Sequence, residues 1–529
     1  MSNATFVGTA PLTRFALRRD RVRIVVWITA IVLLVVTTVQ SIKGLYPTQL
    51  DLDKAAAASQ DNVAAIIFNG PPQGLNTVGG QVAFQTGTFG LILMGLMSVF
   101  MLGRLTRGEE EAGRAELLRS LPIGRHSLPA AALATVAAMN LVTGALVTLA
   151  LIAFDLPVTG SVVFGLSFTL FGLFMAAVTA VAAQVSENTR VVYGLGGLVI
   201  GVSFVVRAVG DINDGTLSWL SPIGWAQKAR PFAGEMWWPF LLLVAATALA
   251  AWLAIVLSRR RDLGAGLVPP RAGRAHAAPS LGTPIGLATR LQRGALLGWS
   301  AGLIVLAVAY GSITDSINQF VEDNESLSDI IAAQGSGTLI EQYLAMSFRI
   351  LALIAAAYAI QSVLRIRSEE TATHAEQILT TPISRIRWAG AHVMLAFGGT
   401  LAILLLIGVS FGVADVAVTG DSAAFGQSVL GAVVYAPAVW VLAGFTVAFV
   451  GFMPRVAVWA WGALGVCFVI GMFGQLLGLP SGVKGFSPFE RVPQYPAASL
   501  DPLPIAMLLA IAGGLTAFGL AALRRRDIG

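Results

Sequence analysis

The sequence predicts an all-α polytopic membrane protein of twelve transmembrane helices, arranged as two parallel six-helix repeats. Three observations carry this expectation: the composition, the number of long apolar runs, and a polar motif that occurs twice. Of 529 residues, 56% are hydrophobic and only 12% are charged, about half the ~25% of an ordinary soluble domain. Such a composition excludes a soluble enzyme, a disordered regulator and a nucleic-acid-binding protein. The single Cys467 lies in an apolar run, which leaves no disulfide framework and no cysteine metal site.

A spanning helix needs roughly 20 apolar residues, because it rises 1.5 Å per residue across a hydrocarbon core of about 30 Å. Six such stretches fall near 24–42, 84–103, 128–154, 161–184, 191–210 and 237–258. Six more fall near 294–314, 342–364, 388–413, 427–452, 456–478 and 502–523. Helices are required, since the runs are too long and too uniformly apolar for barrel strands. Pro437 and the glycines inside these runs are tolerated in lipid, where small residues let helices approach. The first run has no small-x-small cleavage site at Gln40–Lys43 and reads as a retained helix.

Charge sets the orientation. With both termini inside, the inner segments hold 26 Lys and Arg against 11 Asp and Glu, and the outer segments hold 8 against 17. This positive-inside bias places both termini in the cytoplasm and makes the chain a multi-pass membrane protein. Clusters such as Arg18, Arg19, Arg21 and Arg23 read as anionic-lipid and topology signals.

The halves repeat. Arg107–Arg125 (RGEEEAGRAELLRSLPIGR) and Arg367–Arg385 (RSEETATHAEQILTTPISR) align without a gap at an offset of 260, identical at nine of nineteen positions. The ends Arg259–Gly264 and Arg524–Gly529 also match, as do Ser221-Pro222 and Ser487-Pro488 before each sixth helix. Six spans per repeat is an even number, so the repeats share one orientation, as expected about an axis along the membrane normal. The domains read as 1–258, a flexible linker at 259–292 rich in Pro, Gly, Ala and Arg, and 293–529.

The motif itself reads as one short polar helix from Arg107 to Leu121, stopped by Pro122. Glu109, Gly113 and Glu116 would share one face, while Leu117, Leu118 and Leu121 supply an apolar one. A single copy of this kind is commonly a solvated interfacial helix. Two copies with the same acidic spacing suit the docking of two copies of a soluble protein.

These patterns, E-x-x-G-x-x-E-L-L-x-x-L-P-I-x-R at Glu110–Arg125 and E-x-x-T-x-x-E-Q-I-L-x-x-P-I-S-R at Glu370–Arg385, resemble the first cytoplasmic loop of ABC-2 type transporter permeases. The whole chain resembles the fused, double-length permeases of actinobacteria described as exporters of polyketide antibiotics, the tetronasin type, with a type V ABC exporter fold. The resemblance implies that the loops near 105–121 and 365–381 are coupling helices seated on two copies of a cytoplasmic ABC ATPase. It implies Glu109, Glu110, Glu116, Arg125, Glu369, Glu370, Glu376 and Arg385 as docking residues. Thr373 stands where the first copy has Gly113, so the two docking sites need not be equal. The same resemblance implies short re-entrant elements at Leu220–Trp238 and Phe486–Pro496, for which interfacial aromatic loops are the alternative.

No P-loop is present: none of Lys43, Lys54, Lys228 and Lys484 follows a glycine. The chain is therefore expected to be no enzyme and to hold no cofactor, with ATP and Mg bound by the partner. His126, His276, His374 and His392 have no metal-ligand spacing, and His392, just inside a span, reads as a hydrogen-bonded structural residue.

Arg349 is the one charge well inside a span. A central arginine costs roughly 2.5–3.5 kcal/mol on insertion scales and must find a partner, water or the interface. Snorkelling, pairing with Glu341 or Asp415, and a role in the substrate pathway or an outer gate all remain open. Arg207, at a span end, reads as a snorkel. In the family the pathway runs between spans two and five of each half, which here carry Phe89, Met97, Phe100, Phe204, Phe348, Trp461 and Phe468. These side chains suit small hydrophobic cargo, although lipid-facing or packing roles explain them equally well. The expected function is the permease subunit of an ATP-driven exporter of hydrophobic or amphiphilic compounds such as antibiotics or lipids. The competing reading is an ion-coupled secondary transporter without an ATPase, disfavoured because membrane-embedded carboxylates are scarce.

Overall fold

The computed structural model describes residues 3–60, 63–212, 215–260, 264–268, 276–315, 338–473, 480, 482 and 485–526. The matching ends at 261–263 and 527–529, part of the linker and the tail of the eleventh run lie outside the described residues. Among those described there is no strand, and the chain divides into two compact units, Met1–Ala272 and Gly273–Gly529.

In the first unit the spanning helices are α1 (Arg21–Leu45), α2 (Val78–Leu105), α3 (Ser127–Ala153), α4 (Val158–Val185), α5 (Thr189–Ile212) and α6 (Pro239–Ser258). In the second they are α7 (Pro284–Ser312), α8 (Leu339–Thr371), α9 (Arg385–Thr419), α10 (Ala423–Phe452), α11 (Pro454–Gly471) and α12 (Pro502–Arg525). The chain is thus an all-helical, multi-pass membrane protein with twelve helices of spanning length among the described residues. Pro437 breaks α10 after Val433, and the helix resumes at Ala436, because proline cannot donate to the turn before it.

All twelve runs are apolar, but they are not equally buried. The second and fourth helices form the interior of each unit: the apolar stretches of α2 and α4 are 67% and 72% buried, and those of α8 and α10 are 72% and 67% buried. The first and last helices of the first unit, α1 and α6, are only 17% buried and leave their apolar sides to lipid. Phe164, Phe168 and Phe171 of α4 pack beside Met94 and Met97 of α2. Phe348 of α8 packs on Phe411 of α9, with ring centroids 4.8 Å apart.

Lipid tails are as apolar as leucine, so close van der Waals packing holds spanning helices together. The closest backbone approach between spanning helices is α10 on α12, where a Cβ on Gly451 would lie 2.0 Å from the carbonyl oxygen of Gly519. Three shorter helices were not foreseen: Thr9–Arg19, which packs on α3, and Gln49–Gln60 and Val63–Asn69, which precede α2. Arg207 does not snorkel. It is fully buried, and its guanidinium donates to the carbonyls of Ile66 and Ile67 at 3.0 and 2.8 Å, capping the last turn of Val63–Asn69.

Candidate functional site

Each unit carries the repeated motif at the end of its second helix. In the first, α2 stops at Leu105 and only Thr106 separates it from the short helix Arg107–Glu111. Gly113 then takes a left-handed conformation, φ 69°, and a second short helix runs from Arg114 to Arg119. In the second, α8 continues through the motif to Thr371, Thr373 is left-handed with φ 59°, and His374–Leu379 follows. The single helix expected from Arg107 to Leu121 is therefore broken at its middle. Glycine adopts this conformation freely, whereas a side-chain-bearing residue pays about 1–2 kcal/mol, so Thr373 makes the second turn the more strained of the two.

The break separates the acidic residues that a continuous helix would have placed together. Glu109 is buried, and its carboxylate accepts from Arg114 Nε at 2.9 Å, Arg114 Nη2 at 3.1 Å and Arg19 Nη1 at 2.9 Å. Glu110 pairs with Arg107 at 2.7 Å. In the second unit, Glu369 pairs with Arg365 at 2.5 Å and His374 at 3.0 Å. Glu370 is held by Arg367 at 3.1 Å and by Arg526. Four of the six expected docking glutamates thus close the motif upon itself. Glu116 and Glu376, each in the first turn of the short helix beyond the left-handed residue, stand exposed. Arg125 is exposed as well, while Arg385 is half-buried and donates to the carbonyl of Arg526 at 2.5 Å.

Sequence spacing missed the residue that fixes the first motif most firmly. Arg107 is wholly buried, and besides Glu110 it reaches the carbonyls of Ala183 at 2.5 Å and Ala265 at 3.0 Å. It ties the end of α2 to the end of α4 and to the segment after α6. Its repeat partner Arg367 keeps a third of its side chain exposed. Asp20 was missed too, although it is the sole acid among the first fifty residues. Burial would raise its carboxyl, but hydrogen bonds from Arg23 and Arg104 and the charge of Arg19 outweigh that and hold it below the usual carboxylate range. Asp20 is accordingly ionised throughout the neutral range.

At the opposite end of the second unit, Arg349 Nη1 meets Glu490 Oε1 at 3.0 Å. Neither expected partner takes this role: Glu341 completes the capping box that starts α8, and Asp415 is buried in α9 with Oδ1 unpaired. Glu490 lies on the turn Pro488–Arg491, within the short element foreseen before α12. The first unit ties the corresponding element differently: Gln227, at the end of the helix Pro222–Gln227, donates to Thr88 Oγ1 of α2 at 2.8 Å. Both units therefore pin this element to their second helix.

The apolar pathway candidates scatter. Met97 and Phe348 are core residues, Phe204 is half-buried beside Arg207, and Phe89, Phe100, Trp461 and Phe468 are exposed. Phe100 also packs edge-on against Tyr193 at 5.2 Å. His392 is buried in α9, with Nδ1 2.8 Å from Gln292 Nε2. No cluster of three or more His, Cys, Asp or Glu suited to a metal ion occurs among the described residues.

Two comparisons with known proteins bear on this arrangement. The family described as "Multidrug efflux system permease Rv1217c, C-terminal domain" matches residues 281–524. The multidrug efflux system permease protein Rv1217c of Mycobacterium tuberculosis is 37% identical over 526 residues, covering 99% of this chain and 96% of that protein.

Proposed function

Because this chain belongs to the family of multidrug efflux system permeases, we propose that it is the transmembrane subunit of an ATP-driven exporter of hydrophobic or amphiphilic compounds. Two copies of a separate cytoplasmic ATPase drive it, one on each motif, and they bind the ATP and Mg that this chain has no P-loop to hold. The motif end faces the cytoplasm of a bacterial cell, with both termini, in line with the positive-inside bias. Polyketide antibiotics of the tetronasin type are one cargo class to test.

The observation that carries this reading is the pairing of rigid and exposed parts in both motifs. In each, an ion pair ties the short helix beyond the turn to the segment that continues the second helix, Arg114 to Glu109 in the first and His374 to Glu369 at the end of α8 in the second, and leaves a single exposed glutamate, Glu116 or Glu376, on that short helix. A partner that moves that short helix has a stiff connection to α2 or α8, the interior helices of their units. ATP-driven closure of two motors would in this way be delivered to the helices that line the pathway in related permeases.

One observation favours the ion-coupled alternative: Asp415, one turn from the end of α9, is a buried carboxylate with an unpaired oxygen. Inside-out vesicles carrying the chain with its ATPase separate the two readings. The exporter predicts ATP-dependent uptake of a hydrophobic dye that vanadate stops and a proton uncoupler leaves intact. Uptake stopped by the uncoupler, insensitive to vanadate and lost in Asp415→Asn would replace it with the ion-coupled carrier.

A further inference from the structure

Between the helix Thr9–Arg19 and the first motif lies a cleft of ≈480 Å3, lined by Phe15, Arg19, Arg104, Glu109, Arg114, Leu117 and Leu118. We propose that this cleft binds the phosphate headgroup of one anionic phospholipid. The inference does not rest on the exporter reading.

Charge makes the first part of the case. Arg19, Arg23, Arg104 and Arg114 surround only two carboxylates, Asp20 and Glu109, so two positive charges are left over. The hydrogen-bonding inventory locates the excess. Arg104 gives Nε to Asp20 at 3.0 Å, and neither of its terminal nitrogens is bonded to another described residue. Arg114 spends Nε and Nη2 on Glu109 and leaves Nη1 for another acceptor. Arginine forks of this kind match phosphate oxygens in geometry as well as charge.

Position and rim chemistry make the ligand a lipid instead of a soluble phosphate. Asp20 alone separates the helix Thr9–Arg19 from the spanning helix α1, and Arg104 is the penultimate residue of α2. The cleft therefore opens where two spanning helices leave the membrane, at headgroup depth. Its rim carries Phe15 and Leu117, 51% and 73% exposed, which can cover the upper part of an acyl chain while the arginines take the phosphate.

The internal repeat supplies a comparison within one molecule. At the offset of 260, Arg104 corresponds to Leu364 and Arg114 to His374. Glu369 draws instead on Arg365, one turn back on its own helix. The second unit thus keeps the acidic motif without counterparts of Arg104 and Arg114, and its Arg365, Arg367 and Arg526 are each spent on Glu369 or Glu370, so one lipid, held by the first unit, is expected.

Native mass spectrometry of the purified full-length chain, titrated with phosphatidylglycerol or phosphatidylcholine, tests the proposal. One phosphatidylglycerol should be retained in preference to phosphatidylcholine, and glycerol 3-phosphate, which lacks acyl chains, should not displace it. Each arginine near an anionic headgroup is worth about 1 kcal/mol, about fivefold in affinity. Arg104→Gln with Arg114→Gln should therefore weaken retention about 25-fold, whereas Arg290→Gln with Arg293→Gln on α7 should not change it. Because Arg114 also holds Glu109, Leu117→Asp provides a variant at an exposed position that places a negative charge on the rim without touching the ion pairs. Loss of phosphatidylglycerol in Leu117→Asp supports the site even if the arginine variant is unstable. Wild-type retention in Leu117→Asp, or displacement by glycerol 3-phosphate, overturns it.

Discussion

Reversing the charge of Glu116 and Glu376 together, as Glu116→Lys with Glu376→Lys, is expected to abolish vanadate-sensitive transport while leaving membrane insertion and thermal stability at the wild-type level. Both residues are exposed and sit on short helices beyond the left-handed turns. Their replacement leaves no buried group unpaired within the chain. At a docked interface, juxtaposed like charges cost several kcal/mol, which is on the order of a hundredfold or more in affinity at each site. The two single variants should differ in severity, because one loop turns on Gly113 with Glu109 held by arginines and the other on Thr373 with a histidine in the equivalent pair. Transport measured in vesicles, alongside a melting curve of the detergent-purified chain, separates loss of coupling from loss of fold. Undiminished transport in the double variant would remove these glutamates from the interface.

The largest stability effect is expected at Arg107. Arg107→Ala strips a wholly buried guanidinium from Glu110 and from the carbonyls of Ala183 and Ala265. Breaking a buried pair by removing one partner costs about 3–5 kcal/mol. For a unit of this size the midpoint of thermal unfolding should fall on the order of 10 °C. Arg367→Ala makes the internal control at the equivalent position. Arg367 keeps a third of its side chain in solvent, and Glu370 has Arg526 as a second partner, so a change of about 1 kcal/mol or less is expected there. Equal destabilisation by the two substitutions would contradict the account of the first motif as a clamp joining three segments.

The span pattern could be read from composition because each run must satisfy the same solvent, and a helix is the shape that does so without exposing its backbone. Which helices form the interior could not: α10 and α12 are comparably apolar, yet the apolar stretch of one is 67% buried and that of the other 17%. In lipid the apolar stripe does not mark the core, and small residues and shape decide packing. The motif was legible as a repeat but not as geometry. Periodicity placed Glu109 and Glu116 on one face, and it had no means to register the left-handed turn at Gly113 that parts them. The second partner of Glu109 is Arg19, 90 residues away, and the cap that engages Arg207 lies about 140 residues upstream. Ion pairs at such separations leave no trace in spacing. The same holds for Arg349, whose partner Glu490 lies 141 residues downstream in the short element before α12.

The asymmetry between the units has a physical consistency. Where the first motif uses Arg114 and the N-terminal helix, the second uses Arg365, His374 and Arg526, all from its own unit. The two loops reach the same end, an acidic pair held by arginines and one exposed glutamate on the short helix beyond the turn, by different contacts. This arrangement lets each unit present one motor-facing helix without requiring that the two docking sites be identical.

Native mass spectrometry of the chain, solubilised gently from its own membranes, tests the central claim most directly. The account predicts a complex of one chain with two copies of a soluble ATPase, reduced to the bare chain by Glu116→Lys with Glu376→Lys. A wild-type chain that emerges alone, with lipid and nucleotide present throughout, would contradict it and leave the exposed glutamates as interfacial residues of an ion-coupled carrier.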